Sequence, residues 1–446
     1  MPIQALILEQ LIPIVGETNV SYHPDAMTDC AYGLSAPYVV TPEHEDHVAA
    51  ILQFASERSM HVVPKGGGTK DAYGDTSSVD IILSLKKLSG ILHHSVGDLI
   101  VTVLPGTTLL ELQEALAQKG QFLPIDPACS MHATLGGIVA ANVSGPKRAL
   151  YGSIRDHLIA SRIAFPDGTI IRTGAKVVKN VAGYDMNKLF IGAMGTLGVF
   201  TELTFKIRPL PISSGLITLS AITPGQLHEL QETLLDSHLE PCAFEYASAS
   251  SVSELLNINQ STIFLLFEDV QASVRYQIQW VLDTAKRLGI DVLQTYEGLG
   301  QTEPIIELLR GVVLNSSDTS EDVTEVGLKL LSTISDVPDI MRFIETIGHK
   351  EALDTHCYGG LYTGISHVRL SSNLSRDESM IHIIKKIRAH LEQLGGHVII
   401  EFAPRYIRST IAVWGNTNQG LDIMRGIKQK FDPTNSLNRG RYVGGI

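Results

Sequence analysis

Apolar residues in the first 210 positions follow two spacings, one typical of helices and one typical of strands. Helical spacing predicts two helices, at 41–58 and 109–117. The first should begin at Thr41, a residue type that caps helices well, followed by Pro42. Short β-rich runs predict strands at 61–64, 80–85, 91–96, 99–104, 158–165, 169–173 and 198–207. A Pro-Asp-Gly turn signal separates 158–165 from 169–173, which should therefore pair as a hairpin.

The pattern changes near residue 212, where strand-like and helix-like runs begin to alternate. Strands are predicted at 215–220, 262–267, 291–295, 360–370 and 397–402. Helices are predicted at 224–236, 274–288 and 377–394, with a last helix at 419–430 before a Gly-, Arg- and Asn-rich tail. Three loosely similar strand–helix–strand units predict an α+β domain with its helices on one face of a sheet.

Composition agrees with an ordinary globular protein of two or three structural units. The chain has 446 residues, of which 44% are hydrophobic and 18% charged. No stretch approaches the roughly 18 consecutive apolar residues of a membrane helix, so an integral membrane protein is not expected. The first Lys or Arg is Arg58, so the apolar start lacks the basic flank of a secretory signal. We therefore expect a cytoplasmic protein that reaches the inner face of a membrane, if at all, through partners.

The net charge of −12 argues against nucleic-acid binding, which depends on neutralising phosphates. Residues 61–211 differ from the rest, because they carry 15 Lys and Arg against 11 Asp and Glu. This region is compatible with a small anionic ligand, although so small an excess also arises by chance. The four cysteines are Cys30, Cys129, Cys242 and Cys357. Their wide separation excludes CxxC zinc sites and closely spaced iron–sulfur ligands and favours free thiols.

Three glycine-rich stretches are the strongest chemical signal in the sequence, at 64–69, 133–145 and 192–198. Consecutive glycines let backbone N–H groups converge on one anion, and a helix beginning near Thr134 would direct its positive end at the same ligand. The chain contains neither a GxGxxG fingerprint in a strand–helix unit nor the pattern GxxxxGK[ST]. An ordinary Rossmann domain and a P-loop NTPase are therefore disfavoured, although a diphosphate ligand is indicated.

The order of these stretches among other segments resembles a known family. PKGGGT (64–69) is followed by Asp126-Pro127, by ATLGGIVAANVSG (133–145), by YGSIRD (151–156) and by GAKVVKNVAGYD (174–185). GTLG (195–198) comes next, and the chain ends with FDP (431–433) and LNRGR (437–441). This arrangement resembles the FAD-binding fold of the vanillyl-alcohol oxidase and para-cresol methylhydroxylase (PCMH) type. Within that family it is most similar to the FAD-binding subunit of bacterial glycolate oxidase, strongly over 40–210 and the last 20 residues.

The resemblance implies an α+β, two-domain FAD-binding PCMH-type fold with an inserted α+β cap domain. The FAD-binding domain would comprise 1–211, with 412–446 returning to it, and the cap or substrate domain would comprise 212–411. The cofactor would be FAD, and the family analogy is what carries this expectation.

The resemblance also assigns cofactor-binding roles. The FAD diphosphate would be wrapped by backbone donors of Lys65, Gly66, Gly67, Gly68, Thr69, Thr134, Gly136 and Gly137. The flavin and its chain would run along Asn142, Ser144 and Gly145, the adenine would meet Gly198 and Val199, and the isoalloxazine ring would lie near Asn438. Pro64, Pro127 and Ala133 complete the predicted set. Each glycine has a competing interpretation as simple backbone geometry, and Asn142 and Ser144 as structural caps.

Departures from the family pattern restrict the predictions about catalysis. Many relatives attach flavin through a His in the first loop, where this chain has Gly67-Gly68-Thr69, so we expect non-covalent FAD. The strings HxGDGNxH and GEHGIG, whose His and Glu bind a metal and the hydroxy acid in catalytic relatives, are absent. We therefore predict no metal site and name no catalytic base. A carboxylate substrate favours Arg and proton removal favours His, which leaves as candidates His356, His367, His397, Arg369, Arg405 and Arg408.

One further motif supports two interpretations. Lys179 and the pair Tyr184-Asp185 could bring a cation and a phenol to the flavin edge. They could equally lock a loop through hydrogen bonds, with no chemical role.

Three functions remain open from the sequence. The first is a FAD-binding subunit of a glycolate-oxidase-like complex, which oxidises a 2-hydroxy acid such as glycolate or D-lactate to a 2-oxo acid. Its partners would be a second flavoprotein subunit and an iron–sulfur subunit, which receives the electrons. The second is a stand-alone FAD-linked D-2-hydroxy-acid dehydrogenase with a divergent site. The third is a non-catalytic, flavin-stabilised assembly subunit.

Overall fold

The chain folds into two compact units. The computed structural model describes residues 3–23, 34–74, 79–175, 183–220, 223–311, 323–373, 377–416 and 419–446. The first unit comprises Met1–Val143, Ser153–Leu210 and Asn416–Ile446, and the second comprises Ser144–Gly152 and Pro211–Gly415. The sequence-based division had assigned the short segment Ser144–Gly152 to the first unit, and here the structure differs.

Side-chain contacts explain where this segment lies. Lys147 Nζ is 2.8 Å from Glu268 Oε1, and the Tyr151 hydroxyl donates to Glu268 Oε2 at 2.8 Å. Glu268 is 7% exposed, so its carboxylate needs both partners. These contacts hold the segment in the second unit, although the chain on both sides of it belongs to the first.

Helices occur in both units. They are α1 Ile3–Val15, α2 Glu45–Glu57, α3 Leu109–Ala117, α4 Leu135–Ala141, α5 Arg148–Tyr151, α6 Ile154–His157, α7 Asn187–Phe190, α8 Pro224–Leu235, α9 Ala249–Leu256, α10 Gln271–Leu288, α11 Leu299–Gly311, α12 Val337–Lys350, α13 Asp377–Gln393, α14 Arg405–Thr410 and α15 Leu421–Phe431. Within the described residues, no helix combines the length and the apolar character needed to cross a membrane.

Among the described residues, the strands of the first unit form three sheets. They are β1 Val20–Tyr22, β2 Tyr38–Val40, β3 Val62–Lys65, β4 Ile81–Ser84, β5 Ile91–Ser95, β6 Ile100–Val103, β7 Gln121–Phe122, β8 Leu158–Ala164, β9 Ile170–Gly174, β10 Val199–Lys206 and β11 Arg208–Pro209. The sheet orders are β1-β2-β4-β3, β5-β6-β10-β8-β9 and β11-β7. Strands β2 and β3 both pair with β4 in parallel, whereas the five-stranded sheet is antiparallel.

Apolar cores support the two larger sheets. One contains Ile51 and Leu52 of α2 together with Ile81 and Leu83 of β4. The other packs α3 and α4 against the five-stranded sheet, with Phe205 fully buried. Helix α3 is fixed at its start by a capping box, in which the Thr108 side chain and its partner Glu111 satisfy each other's backbone N–H groups. The loop after β3, helix α4 with its flanks and the loop before β10 hold the three glycine-rich stretches.

The second unit is built on one antiparallel sheet. Its strands are β12 Ser213–Ser220, β13 Ala243–Ala247, β14 Thr262–Asp269, β15 Val292–Glu297, β16 Val323–Leu331, β17 Asp354–Gly360, β18 Ile365–Asn373 and β19 His397–Phe402. They follow the order β15-β12-β14-β13-β17-β18-β16-β19. Alternate strand residues, such as Ile217, Val368 and Ile400, form a core with α8, α10, α12 and α13.

The prediction that the helices lie on one sheet face is only partly correct. Gly215 faces α10, since a Cβ there would be 2.7 Å from Val274 Cγ1. Its neighbour Ser214 points to the opposite face, where its Oγ lies 2.7 Å from Thr302 Oγ1 of α11. Helix α11 therefore covers the face that α10 leaves open at this end of the sheet.

Local predictions were confirmed where the signal is contained in neighbouring residues. Helix α3 and strand β19 have the predicted bounds, and β8 pairs with β9 in the predicted hairpin. Two predictions were wrong. Thr41 donates its N–H to Asn19 O at 2.8 Å, which continues the β1–β2 pairing, so α2 begins only at Glu45. The predicted strand 360–370 is the end of β17, a turn with Gly364 at φ +65°, and β18.

Candidate functional site

The first two glycine-rich stretches meet backbone to backbone in the first unit. A Cβ on Gly66 would collide with the Thr134 side chain. A Cβ on Gly67 would collide with the His132 carbonyl oxygen and lie 2.7 Å from its carbonyl carbon. Only glycine allows this approach, and the backbone turns left-handed at Gly68, with φ +80°. The loop that follows β3 and the start of α4 therefore form one surface lined by main chain.

Helix α4 carries the second stretch along this surface. Thr134 caps it, accepting a hydrogen bond from Gly137 N at 3.4 Å. Gly136 donates its N–H to Pro105 O at 2.8 Å, and a Cβ there would lie 2.7 Å from Pro105 Cβ, so packing alone requires glycine. The helix ends at Asn142, which adopts the left-handed conformation of a C-cap at φ 50°.

The third stretch, 192–198, joins the end of α4. Gly192 N donates to Val139 O at 3.0 Å and Met194 N to Ala140 O at 2.8 Å. A Cβ on Gly192 would be 3.1 Å from Asn142 Cβ. All three glycine-rich stretches are thus brought together by hydrogen bonds and close packing, as the anion-site interpretation expects.

The C-terminal segment closes the arrangement from the other side. Val62 N donates to Ser436 O, and Asn438 N donates to Val62 O, both at 2.8 Å. The Asn438 side-chain amide also donates to Met194 O of the third stretch. Asn438 therefore lies between β3 and the third stretch, 376 positions after Val62 in the chain.

Two buried acceptors in this region have no partner among the described residues. They are the side-chain oxygens Oδ1 of Asn142 and of Asn438. A buried polar atom without a hydrogen bond is costly, about 1–3 kcal/mol, so native proteins pair such atoms. The arrangement can therefore accept hydrogen bonds from a ligand that carries N–H or O–H groups, beside a main-chain surface suited to an anion.

The other predicted cofactor residues divide between the two units. Pro127 and Ala133 are buried in the first unit. Gly198 packs against β8, since a Cβ would be 2.6 Å from Ile163 Cγ2, and Val199 begins β10 at 2% exposure. Ser144 and Gly145 lie in the second unit, and the buried Ser144 Oγ has no hydrogen-bond partner in the part of the chain that the structure describes.

The second unit presents a polar sheet face on β16 to β19. His367 Nδ1 is 3.0 Å from Glu401 Oε2, and its ring stacks on Tyr358 with centroids 5.0 Å apart. Two residues further along, Arg369 of β18 lies directly opposite His356 of β17. These side chains alternate with Val368 and other core residues, so they share the face away from that core.

The partners of two candidate histidines were not identifiable from sequence. Glu401 is 34 positions from His367 and matches no predicted motif. His356 Nε2 lies 3.0 Å from Asp354 Oδ2, and this hydrogen bond holds the pKa of the Asp354 carboxyl below its ordinary value. His397 lies on the same face at the start of β19, while Arg405 and Arg408 are on α14.

For the remaining candidate residues, the structure gives little support for a chemical role. Lys179 lies outside the described residues, Tyr184 is 92% exposed and Asp185 pairs with Lys188 at 3.7 Å. Cys129, Cys242 and Cys357 are free thiols, and Cys30 lies outside the described residues. In the described part of the chain, no three His, Cys, Asp or Glu side chains come together as metal ligands.

Comparison with known proteins gives two family matches. Residues 36–174 match the model of an FAD binding domain, and residues 259–442 match the C-terminal domain of FAD linked oxidases. Glycolate oxidase subunit GlcD of Bacillus subtilis is 27% identical, covering 98% of this chain and 96% of that protein. A D-lactate dehydrogenase of Anaerostipes hadrus is also 27% identical, covering 95% and 93%.

A partial relative and a solved structure extend these matches. Glycolate oxidase subunit GlcE of Escherichia coli is 31% identical over 48% of this chain and 57% of that protein. The structure of p-cresol methylhydroxylase superimposes with a TM-score of 0.77 at 13% identity, covering 98% of this chain and 96% of that one. At this identity the structural likeness establishes the fold, which is the two-domain α+β type expected from the sequence.

Proposed function

The chain belongs to the FAD-linked oxidases of the PCMH type, and from that premise we propose that it is a flavin-carrying subunit of a glycolate-oxidase-like complex. It binds FAD non-covalently and oxidises a small 2-hydroxy acid, glycolate or D-lactate, to the 2-oxo acid. The observation that carries the proposal is the convergence of three glycine-rich stretches on two buried asparagine oxygens in a chain matched by both family models.

The residues present fit FAD. The dinucleotide has a diphosphate, ring N–H groups and ribityl hydroxyls, and the site offers a main-chain surface and buried acceptors for them. Backbone N–H groups of 65–69 and of Thr134 would hold the diphosphate. Gly136 and Gly137, whose N–H groups donate to Pro105 O and Thr134 Oγ1, would instead leave room for the close approach of the main chain. Asn142 and Asn438 would accept hydrogen bonds from flavin donors, and Ser144 and Gly145 would follow the flavin chain. Pro64, Pro127, Ala133, Gly198 and Val199 shape the remaining surface, the last two toward adenine.

FAD, when bound, supplies the acceptor for the hydride from the substrate α-carbon. The chain's own task is to bind the acid and remove its hydroxyl proton. We assign this task to the polar sheet face, where Arg369 offers a guanidinium to a carboxylate. Because His367 Nδ1 is bonded to Glu401, its Nε2 is the nitrogen positioned to accept a proton.

A complex is favoured by the relatives and by the cysteines. Two glycolate oxidase subunits match this chain, one over most of its length and the other over about half of it. The cysteines of this chain are too far apart in sequence for a closely spaced cluster motif, so electrons leave through a partner. We propose a second flavoprotein subunit and an iron–sulfur subunit as partners, with a cytoplasmic location and any membrane contact made through them.

The decisive experiment is stopped-flow absorbance of the isolated chain reconstituted with FAD. On addition of glycolate or D-lactate we expect little or no bleaching of the flavin band, and turnover only after co-expression with the partner subunits. The D-lactate dehydrogenase relative, matched over 95% of this chain, favours the alternative of a stand-alone dehydrogenase. Rapid, saturable bleaching of the isolated chain would establish that alternative. A flavin that no 2-hydroxy acid reduces, alone or in the complex, would leave only an assembly role.

The role of the polar face needs its own variants. Arg369→Met should raise KM for the acid in the complex, while Lys386→Met on α13, whose Nζ lies 3.1 Å from Glu351 Oε1 and outside the polar sheet face, controls for loss of positive charge. Both should retain FAD, because neither residue is among those assigned to the cofactor. An unchanged KM for Arg369→Met would remove Arg369 from substrate recognition.

A further inference from the structure

Helix α15 carries a buried ammonium group that links three segments of the first unit. Lys428 is 6% exposed. Its Nζ donates to Thr196 O and Leu437 O, both at 2.8 Å, and to Asp432 Oδ2 at 2.7 Å. These three bonds use all the donors of the ammonium group. A charge buried so deeply is costly unless it is fully paired, and here two of the three bonds reach segments of the candidate site.

Asp432, the partner of Lys428, organises the turn that follows α15. It is 1% exposed, and its carboxylate accepts from Leu437 N at 2.8 Å, from Ser436 N at 3.1 Å and from the Thr434 hydroxyl at 3.2 Å. Burial alone would raise the pKa of Asp432, but the charge of Lys428 and these hydrogen bonds hold it below its ordinary value. The turn is thus wrapped around an ionised carboxylate.

This turn places the next residues against the cofactor site. Leu437 pairs with Val62, and Asn438 N donates to Val62 O at 2.8 Å, just before the loop at 64–69. The Asn438 side-chain NH2 is committed to Met194 O. Its Oδ1 is consequently the atom left without a partner among the described residues. Thr196 and Met194 are both in the third glycine-rich stretch, so one C-terminal segment fixes this stretch and the orientation of Asn438 together.

We propose that Lys428 and Asp432 are positioning residues, which hold the third glycine-rich stretch and the Asn438 oxygen in the geometry that binds FAD. This inference rests on the proposed function, since it concerns the same cofactor. A buried ion pair is often no more stabilising than apolar residues of the same volume, so stability alone does not account for it. Its hydrogen bonds instead fix two main-chain carbonyls, at Thr196 and Leu437, that no apolar side chain could hold.

The test compares variants of the full chain. The double variant Lys428→Met/Asp432→Asn removes both charges. It keeps a side-chain oxygen at position 432 that can accept hydrogen bonds from the backbone N–H groups of the turn. The control is Lys87→Met, the same substitution in the same unit, where the ammonium bridges Asn19 at 2.7 Å and Glu43 at 3.0 Å away from the glycine-rich stretches. The measurements are the FAD Kd of the apoprotein, the visible spectrum of the bound flavin and the thermal midpoint.

We expect the double variant to bind FAD about tenfold more weakly or worse. The vibrational structure of its flavin absorption band should also change, which a purely structural role would not require. The control should change neither. Equal affinity and an identical spectrum in the double variant would overturn the inference. If the double variant does not fold, Lys428→Gln/Asp432→Asn, which retains an NH2 donor, undergoes the same test with the same refuting result.

The outcomes separate this inference from the proposed function. A parent protein that binds no FAD would overturn both. A parent that binds FAD no more tightly than the double variant does would overturn the inference alone.

Discussion

Replacing Gly67 by alanine is expected to weaken FAD binding, because it separates two backbone segments that meet at this residue. The new Cβ would lie 2.7 Å from the carbonyl carbon of His132. Carbon atoms are in comfortable contact only from about 3.5 Å, and the collision with the His132 carbonyl oxygen is closer still, so the two segments must move apart by more than about 1 Å. Neither can yield as a flexible side chain would, since the colliding atoms of His132 belong to the main chain.

The loss of FAD affinity in Gly67→Ala depends on how firmly the His132 segment is held. The backbone N–H groups of His132 and Ala133 both donate to Cys129 O, at 3.0 and 2.8 Å. Forcing an extra carbon into a packed region costs about 1–3 kcal/mol. If the free energy of FAD binding is reduced by this amount, the FAD Kd rises about five- to 150-fold. Gly67 does not have a positive φ, so the effect measures space alone.

The assay is a titration of the apoprotein with FAD, followed by flavin fluorescence, with folding checked by circular dichroism. Gly97→Ala is the matched control in the same unit, since a Cβ there meets nothing within 4 Å and its φ is not positive. Gly67→Val, with its larger side chain, should retain no FAD. A folded Gly67→Ala protein that binds FAD as tightly as Gly97→Ala does would refute the assignment of this loop to the cofactor.

Four further outcomes are expected. Acid precipitation should release all flavin as FAD, and flavin left on the denatured chain would contradict non-covalent binding. Gly136→Val should abolish flavin retention in folded protein, because its side chain would enter the space of Pro105. Gly426→Ala, at an exposed position of α15 with open space around it, should raise the free energy of unfolding by about 0.5–1 kcal/mol in a denaturant titration. Because the folded-state pKa of Asp432 is lowered, its stabilising contribution should be present above about pH 3.9 and be lost as the pH falls below it, and Asp432→Asn should remove this part of the acid transition.

The sequence by itself determined features that depend on near neighbours. The bounds of α3 follow from apolar spacing, and the β8–β9 hairpin follows from a turn signal between two β-rich runs. The three glycine-rich stretches are also visible in the sequence, although each one alone could be simple backbone geometry. Thr41 shows the limit of such signals, because a distant hydrogen bond to Asn19 overrode a good helix start.

Only the tertiary structure decided which distant residues meet. The segment Ser144–Gly152 reads as part of the first unit, yet Lys147 places it in the second by pairing with Glu268, 121 positions away. The partnership of His367 with Glu401 depends on how β18, β16 and β19 are ordered in the sheet, which no local pattern encodes. Lys428 looks like an ordinary lysine near a helix C-terminus, and only the packed fold shows it buried beneath the third glycine-rich stretch. Helix and strand signals arise between residues a few positions apart, whereas these contacts are fixed by the packing of the whole chain.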